Sequence, residues 1–330
     1  MHTTATPQQQ SWARAVCASE GLGPLLSLRP VPGGYLHQML RLDTASGSYA
    51  LKLLNPLILR RPGALQNFEE AERLERLLEK AGLPIVPALE REGQKRRSCQ
   101  GKAFYLFPWV QGAALPPSQV TEAHSQIMGG LLARLHSLER REGPAPSPSP
   151  IAWEPYLPLL REQCPSLAQP FASLLPALEE LTQSAQAAAP QIPPVQCLCN
   201  GDMDCKNVLW QGLAPRVIDL ECLCLDNPYP QLFSLLLEWS GPDWSPGLMA
   251  AFLRAYRADG GLLPSRWEPL YYANTNMLGW LEYNLKRALG LESSGETERS
   301  LGVSQSKSTL AWLRRYCGRR EALLSFLNSL

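Results

Sequence analysis

The sequence contains no long apolar stretch and no excess of charge of one sign. No segment approaches the roughly 20 apolar residues of a membrane helix, and the first residues lack the basic and apolar regions of a secretory signal, so we expect a cytoplasmic protein. Lysine and arginine number 31 against 30 aspartates and glutamates, a net charge of +1. This balance gives no general attraction to nucleic acid or to a membrane surface. Neither is expected as a partner, and the oligomeric state stays open.

Two groups of nucleotide-site motifs are absent as well. No Gly-x-x-x-x-Gly-Lys-Ser/Thr stretch occurs, which excludes the Walker-type nucleotide folds. Neither an Asp-Phe-Gly nor an Ala-Pro-Glu tripeptide occurs, so the sequence shows no recognisable activation segment of a protein kinase.

Cysteine is not scarce, but it lacks the spacing of a metal site. The nine cysteines include the pairs Cys197/Cys199 and Cys222/Cys224, and residues two apart in a strand share a face. Such pairs could form a zinc or redox cluster, or they could be buried thiols that behave as small hydrophobic groups. No Cys-x-x-Cys motif or nearby histidine accompanies them, which favours buried thiols. The odd count also argues against a disulfide framework.

The remaining pattern is that of an ordinary globular protein with two parts. The 330 residues are 45% hydrophobic and 18% charged, enough for two lobes and a sizeable core. Short strands with turn residues between them are predicted over 25–54, followed by an amphipathic helix over 68–80 and a buried strand over 103–110. Helical patterns dominate after residue 126, apart from a strand-rich segment over 195–221. This order predicts an α+β protein.

The strand-rich segment carries the residues that phosphoryl transfer requires. It reads Asn200-Gly201-Asp202, then Asn207, then Ile218-Asp219-Leu220-Glu221. An aspartate can orient an attacking hydroxyl and accept its proton, while an asparagine and a second aspartate can hold magnesium on nucleotide phosphates. Phosphoryl transfer depends mainly on positioning and charge neutralisation, and these residues supply both.

These motifs resemble the aminoglycoside phosphotransferase and choline kinase family of small-molecule kinases, over roughly residues 25–240. The resemblance implies a two-lobed protein-kinase-like fold, with a small antiparallel-sheet N-lobe and a larger, mainly helical C-lobe. It implies a nucleotide-binding lobe with its hinge strand over 1–110, and a C-lobe with the catalytic loop and acceptor pocket over 111–330. It further implies transfer of the γ-phosphate of Mg²⁺-ATP, or of GTP, to a hydroxyl of a small molecule.

The resemblance also assigns roles to individual residues. Asp202 is the expected catalytic base, and Asn207 and Asp219 are the expected magnesium ligands. Lys52, in the third strand, should hold the nucleotide phosphates. Its ion-pair partner is expected on the following helix, where we choose Glu70 because it lies four residues before an inward-facing leucine.

Other nucleotide contacts are expected in two loops. Gly33 and Gly34 should form a flap over the phosphates, although an ordinary hairpin turn would read the same. The segment after the buried strand should read adenine with its backbone. Pro108 can only accept through its carbonyl, so Val110 is the expected donor.

The sequence departs from the family at two places in the catalytic loop. Asn200 replaces the usual histidine, and its amide can supply similar hydrogen bonds. Lys206 lies four residues after Asp202, where tyrosine kinases place an arginine, and could neutralise the transferring phosphoryl group. The alternative for Lys206 is a salt bridge with Asp204 or Glu221.

The acceptor is left open by the sequence. A quaternary ammonium compound needs aromatic side chains, and a polycationic aminoglycoside needs clustered carboxylates. The C-terminal third offers candidates for both, namely Trp239, Trp244, Trp267, Tyr271, Tyr272, Trp280 and Tyr283, and Glu238, Asp243, Glu268 and Glu282. A different class of function also remains, a catalytically silent binding or scaffold protein with a kinase fold.

Overall fold

The computed structural model describes residues 5–31, 37–292 and 295–330. Gly33 and Gly34, predicted to cover the phosphates, lie outside this range. The helices are α1 (Pro7–Glu20), α2 (Pro56–Leu59), α3 (Ala64–Lys80), α4 (Glu122–Ser137), α5 (Tyr156–Gln163), α6 (Pro165–Ala188), α7 (Pro228–Glu238), α8 (Pro246–Ala258), α9 (Glu268–Ala273), α10 (Asn276–Ala288), α11 (Glu296–Gly318) and α12 (Arg320–Asn328). The strands are β1 (Leu25–Val31), β2 (Gln38–Thr44), β3 (Gly47–Leu53), β4 (Arg97–Cys99), β5 (Lys102–Pro108), β6 (Ala113–Ala114), β7 (Arg141–Glu142), β8 (Val195–Asn200), β9 (Val208–Gln211), β10 (Ala214–Val217) and β11 (Leu223–Asp226).

The chain forms two compact units, and the first is built from two separate segments. It consists of residues 1–119 and 200–224, whereas the second consists of residues 120–199 and 225–330. The segment 200–224 contains the catalytic-loop motif, so this motif belongs to the same unit as the N-terminal sheet. The predicted division into a nucleotide-binding lobe over 1–110 and a C-lobe over 111–330 stays a prediction.

The first unit contains a five-stranded antiparallel sheet with the strand order β1-β2-β3-β5-β4. Alternate side chains of a strand point to opposite faces, and one face of this sheet is apolar. Leu40, Leu42, Leu51 and Leu106 are buried there against Trp12 of α1. The opposite face carries Lys52, so burial of the leucines fixes the direction in which that lysine points.

Helix α3 covers part of the Lys52 side of the sheet. Its buried positions are spaced at three and four residues, as expected for one helical face: Ala64, Phe68, Ala71, Leu74, Glu75 and Leu78. Phe68 packs with Tyr105 of β5 and with Leu54. The buried face of this helix therefore includes an acidic residue, Glu75, as well as apolar ones.

A second small sheet in the first unit holds the catalytic-loop motif. Strands β9 and β10 form a hairpin, and β6 pairs with the other edge of β9. Val217, at the end of β10, exchanges backbone hydrogen bonds with Pro84 and Val86, just beyond α3. These bonds fix the residues that follow β10, including Asp219, against the rest of the unit.

The second unit is mainly helical. Helix α4 packs closely on α8 because Gly129 has no side chain; a Cβ there would lie 2.2 Å from the Phe252 carbonyl oxygen. This contact explains why a glycine is required in the middle of a helix. The unit's short strands β7 and β8 pair in antiparallel fashion, with Arg141 opposite Gln196.

The predicted α+β fold, an antiparallel sheet in the N-terminal region followed by a mainly helical C-terminal part, is confirmed. None of the helices in the described parts of the chain is both long enough and apolar enough to cross a lipid bilayer.

Candidate functional site

The centre of the first unit is a buried ion-pair cluster around Lys52. Its Nζ lies 2.7 Å from Asp219 Oδ1 and 2.7 Å from Glu221 Oε1, and the lysine side chain is only 7% exposed. Burial lowers the pKa of Lys52, but the two carboxylates outweigh that effect and raise it. The lysine is therefore a fixed positive charge, as a phosphate-binding group must be.

The predicted ion pair between Lys52 and Glu70 is not what the structure shows. Glu70 instead accepts two hydrogen bonds from Arg73, at 2.7 and 2.8 Å, and its side chain is 42% exposed. The prediction was wrong because Glu70 lies at the edge of the buried stripe of α3. Glu72 and Glu75 lie nearer its centre, and both line a small cavity together with Lys52.

Those two glutamates have partners of their own. Glu72 accepts a hydrogen bond of 2.8 Å from the Tyr105 hydroxyl. Glu75 accepts from the backbone N–H of Ala88 and from Lys95, whose side chain is buried. Lys52 is thus held by Asp219 and Glu221, which follow β10. Helix α3 contributes Glu72 and Glu75 to the wall of the small cavity beside Lys52.

Glu221 and His37 are functional-site residues that the sequence reasoning did not select. His37 Nδ1 accepts the backbone N–H of Asn55 at 3.0 Å, so Nε2 carries the proton that faces Glu221 Oε2 at 3.2 Å. Burial raises the pKa of Glu221, but the lowering effect of Lys52 and His37 together is larger, so the net shift of this pKa is downward. The signal available in the sequence was the spacing of Glu221, two residues after Asp219.

The catalytic-loop motif forms a second charged group. The backbone N–H of Asp202 donates to Asn200 Oδ1 at 3.2 Å, so the amide supports the loop where the family has a histidine. Asn207 Nδ2 donates to the Asp202 carbonyl at 2.9 Å. Burial, followed by the Asp204 carboxylate, raises the pKa of Asp202 to about 7, against the opposing effect of Lys206.

Lys206 contacts Asp202, the residue predicted to be the catalytic base. Its Nζ is 2.8 Å from Asp202 Oδ1 and 2.7 Å from Asp204 Oδ2, and its side chain is 46% exposed. Burial lowers the pKa of Lys206, and the two aspartates raise it more. The structure thus shows the predicted pair with Asp204, while an ammonium group beside Asp202 also fits the other prediction, a contact with a transferring phosphoryl group.

Asn207 and Asp219 come together because they flank the β9–β10 hairpin. Val208 pairs with Val217, and the Ile218 N–H donates to the Asn207 carbonyl at 2.9 Å. Asp219 then adopts a left-handed backbone conformation, with φ of 60°, which is uncommon for a residue other than glycine. Its carboxylate and the Asn207 amide oxygen form the hard donor set that Mg²⁺ prefers, so these residues fit a magnesium ion.

The predicted adenine-reading segment follows directly from β5. This strand ends at Pro108, and the Trp109 N–H donates to the Ser48 carbonyl at 3.0 Å. Pro108 and Val110 are both partly exposed and lie outside the buried core.

In the second unit, His136 lies beside two of the cysteines. Its ring and the Sγ atoms of Cys197 and Cys199 lie within 4.8 Å of one another. Both ring nitrogens are already hydrogen bonded, to the Tyr256 hydroxyl at 2.8 Å and to Gln231 Oε1 at 2.9 Å. Since Gln231 Oε1 can only accept, Nε2 donates, and the one lone pair of the ring accepts from the tyrosine. Both ring nitrogens of His136 are therefore engaged in hydrogen bonds between side chains of the second unit.

Comparisons with known proteins agree with this geometry. The model of the phosphotransferase enzyme family matches residues 27–270. No match is found among curated proteins. Among solved structures, a spectinomycin phosphotransferase in complex with ADP and spectinomycin superposes with a TM-score of 0.71 at 14% identity, covering 94% of this chain and 99% of that one.

Two further solved structures share this fold. An amicoumacin kinase in complex with AMP-PNP, Ca²⁺ and its substrate has a TM-score of 0.58 at 15% identity, covering 90% of this chain and 92% of that one. A choline/ethanolamine kinase family protein from Mesorhizobium loti has a TM-score of 0.58 at 17% identity, covering 99% of this chain and 96% of that one. At such identities the likeness establishes the fold.

Proposed function

This chain belongs to the phosphotransferase enzyme family, and we propose that it transfers the γ-phosphate of a magnesium-bound nucleoside triphosphate to a hydroxyl of a small molecule. The expected identity as a small-molecule kinase is confirmed by the family. The nucleotide and the roles of individual residues are supported by the site. ATP is the proposed donor, with GTP as the alternative.

The observation that carries the proposal is the Lys52 cluster together with the catalytic loop. Lys52 contacts Asp219 at 2.7 Å, and a backbone hydrogen bond joins Ile218, the residue before Asp219, to Asn207. Asn207 in turn bonds the backbone of Asp202 at 2.9 Å. One continuous network thus links the proposed phosphate-binding, magnesium-binding and proton-accepting residues.

Each residue then has a defined task. Lys52 binds the nucleotide phosphates as a fixed cation, and Asn207 and Asp219 would hold the magnesium ion, which neutralises charge on those phosphates. Asp202 orients the acceptor hydroxyl and takes its proton. Lys206, 2.8 Å from Asp202, offers a positive charge next to the place where the phosphoryl group is transferred.

Two measurements test this proposal in sequence. Mg²⁺-ATP at a hundredfold excess over its dissociation constant should stabilise the protein by about 2.7 kcal/mol, observed as a rise in melting temperature, with Mg²⁺-GTP measured in parallel. Consumption of the bound nucleotide is then screened against aminoglycosides, choline-like amines and sugars. A melting temperature that neither nucleotide changes would contradict the nucleotide site. Binding without turnover of any acceptor would favour the silent scaffold.

A further inference from the structure

The sheet face that carries Lys52 also carries Arg41, which lies across β3 from Phe107 of β5. Residues directly opposite each other in neighbouring strands share a face. Arg41 of β2 lies opposite Ala50 of β3, and Ala50 lies opposite Phe107 of β5. Ala50 is two residues before Lys52, so it shares the face of that lysine, roughly 7 Å along the strand.

This part of the face is open, in contrast to the other side of the sheet. Ala50, Phe107 and Trp109 are all partly exposed, whereas Leu40, Leu42, Leu51 and Leu106 of the opposite face are at most 1% exposed. Ala50, Phe107 and Trp109 therefore form a partly exposed apolar patch on this face.

Arg41 is held in a fixed position over this surface. Its guanidinium carbon lies 4.4 Å from the centre of the Trp109 ring, and its Nε donates to Asp43 Oδ1 at 2.9 Å. The side chain reaches across β3 because that strand presents only the small residues Ser48 and Ala50 at this point. It remains 27% exposed, so a ligand can reach it.

Asp43 is itself firmly anchored. It accepts hydrogen bonds from Ser27 at 2.6 Å and from Ser48 at 2.7 Å, as well as from Arg29 at 2.8 Å and Arg41. These bonds hold the pKa of its carboxyl well below the usual range, with Ser27 the largest cause. A permanently charged carboxylate thus fixes the orientation of the Arg41 guanidinium.

We propose that Arg41 is a nucleobase-binding residue, whose guanidinium, positioned by Asp43 and Trp109 above Ala50, stacks on the base of the bound nucleotide. The inference rests on the proposed function, since it concerns the same nucleotide. A planar, delocalised guanidinium stacks on aromatic rings. The energy of one such cation–π contact is large enough to change the affinity for the nucleotide measurably. In this proposal Arg41 binds the base and Lys52 binds the phosphates of the same nucleotide.

The test compares three variants by calorimetric titration with Mg²⁺-ATP. Arg41→Ala should weaken binding about tenfold. Arg41→Lys should weaken it nearly as much, because an ammonium keeps the charge without the planar surface. The matched control is Arg29→Ala, which also removes an arginine from Asp43, but one that is 62% exposed; it should bind like the wild type.

Mg²⁺-tripolyphosphate, which has no base, serves as the second probe through its displacement of Mg²⁺-ATP. Its affinity should be equal in the wild type and the Arg41 variants. An equal loss for tripolyphosphate and ATP would show that Arg41 acts on the phosphates or on the fold, and would overturn the inference. Unchanged ATP binding in Arg41→Ala would do the same while leaving the proposed function intact. A wild type that binds neither probe would instead contradict the nucleotide site itself.

Discussion

Lys52 Nζ lies 2.7 Å from Asp219 Oδ1, although the two residues are 167 positions apart in the sequence. The lysine comes from the N-terminal sheet, and the aspartate follows the β9–β10 hairpin. Because Glu221 also contacts the lysine, two carboxylates hold one buried cation. When a nucleotide and its magnesium ion bind, we expect the negative phosphates to contact Lys52 and the positive metal ion to contact Asp219.

We predict that Lys52→Met weakens Mg²⁺-ATP binding at least tenfold, because a charge-assisted contact to phosphate contributes roughly 1.5–3 kcal/mol. Glu70→Gln should leave the affinity within about threefold of the wild type, since its exposed pair with Arg73 contributes little. Isothermal titration of both variants checks this. A large loss in Glu70→Gln would show that Glu70 supports the nucleotide site despite its pairing with Arg73.

We predict that Asp219→Ala reduces magnesium-dependent nucleotide binding more than Asp202→Ala does. Asp219 provides a carboxylate to the proposed ion, whereas Asp202 is expected to face the acceptor hydroxyl. Titration of each variant with ATP, in magnesium and in EDTA, separates the two roles. Equal losses of affinity would show that the assignment of the two aspartates is wrong.

We predict that Asp202→Asn keeps Mg²⁺-ATP affinity and lowers kcat by about 10²–10⁴-fold, the usual effect of removing a general base. An asparagine accepts a hydrogen bond from the acceptor hydroxyl but cannot take its proton. Steady-state rates with an acceptor found in the screen measure the effect. Turnover at the wild-type rate would exclude Asp202 as the base and direct attention to Asp204, the other carboxylate on Lys206.

We predict that acid weakens the second unit through His136. Complete burial lowers its pKa from 6.5 to about 4, so the folded state keeps the ring neutral while the unfolded state binds a proton below pH 6.5. This contribution to stability is complete above pH 6.5 and is lost as the pH falls toward 4, by about 2 kcal/mol between pH 7.5 and 5. The titratable or charged groups around the ring are Tyr256, Arg140, Cys197 and Cys199.

Urea unfolding of the wild type and of His136→Gln at both pH values measures this contribution. A glutamine can donate to Gln231 and accept from Tyr256, so it replaces the hydrogen bonds of the ring without titrating. The difference in unfolding free energy between the two pH values should shrink by about 2 kcal/mol in the variant. An unchanged difference would mean that His136 does not control the response to acid.

The location of the site was predictable to the extent that it depends on local spacing. Asp202, Asn207 and Asp219 were recognised because a loop followed by a hairpin fixes their separation along the chain, and the hairpin pairing of Val208 with Val217 keeps their order in space. Lys52 was placed in the third strand by the turn residues that precede it, and its role was implied by the resemblance to the kinase family. These features require only the periodicity of strands and the chemistry of the side chains.

What the sequence could not determine was the choice among several possible partners. Glu69, Glu70, Glu72 and Glu75 of α3 were all possible partners of Lys52, and a rotation of the helix by one residue changes which of them faces inward. The tertiary structure assigned the lysine to Asp219 and Glu221 instead, brought His37 onto Glu221, and placed His136 beside Cys197 and Cys199. The sequence determined which residues could perform phosphoryl transfer, because that depends on side-chain chemistry and local spacing. Only the packing of distant segments decided which of them meet, because burial and charge pairing are properties of the folded chain.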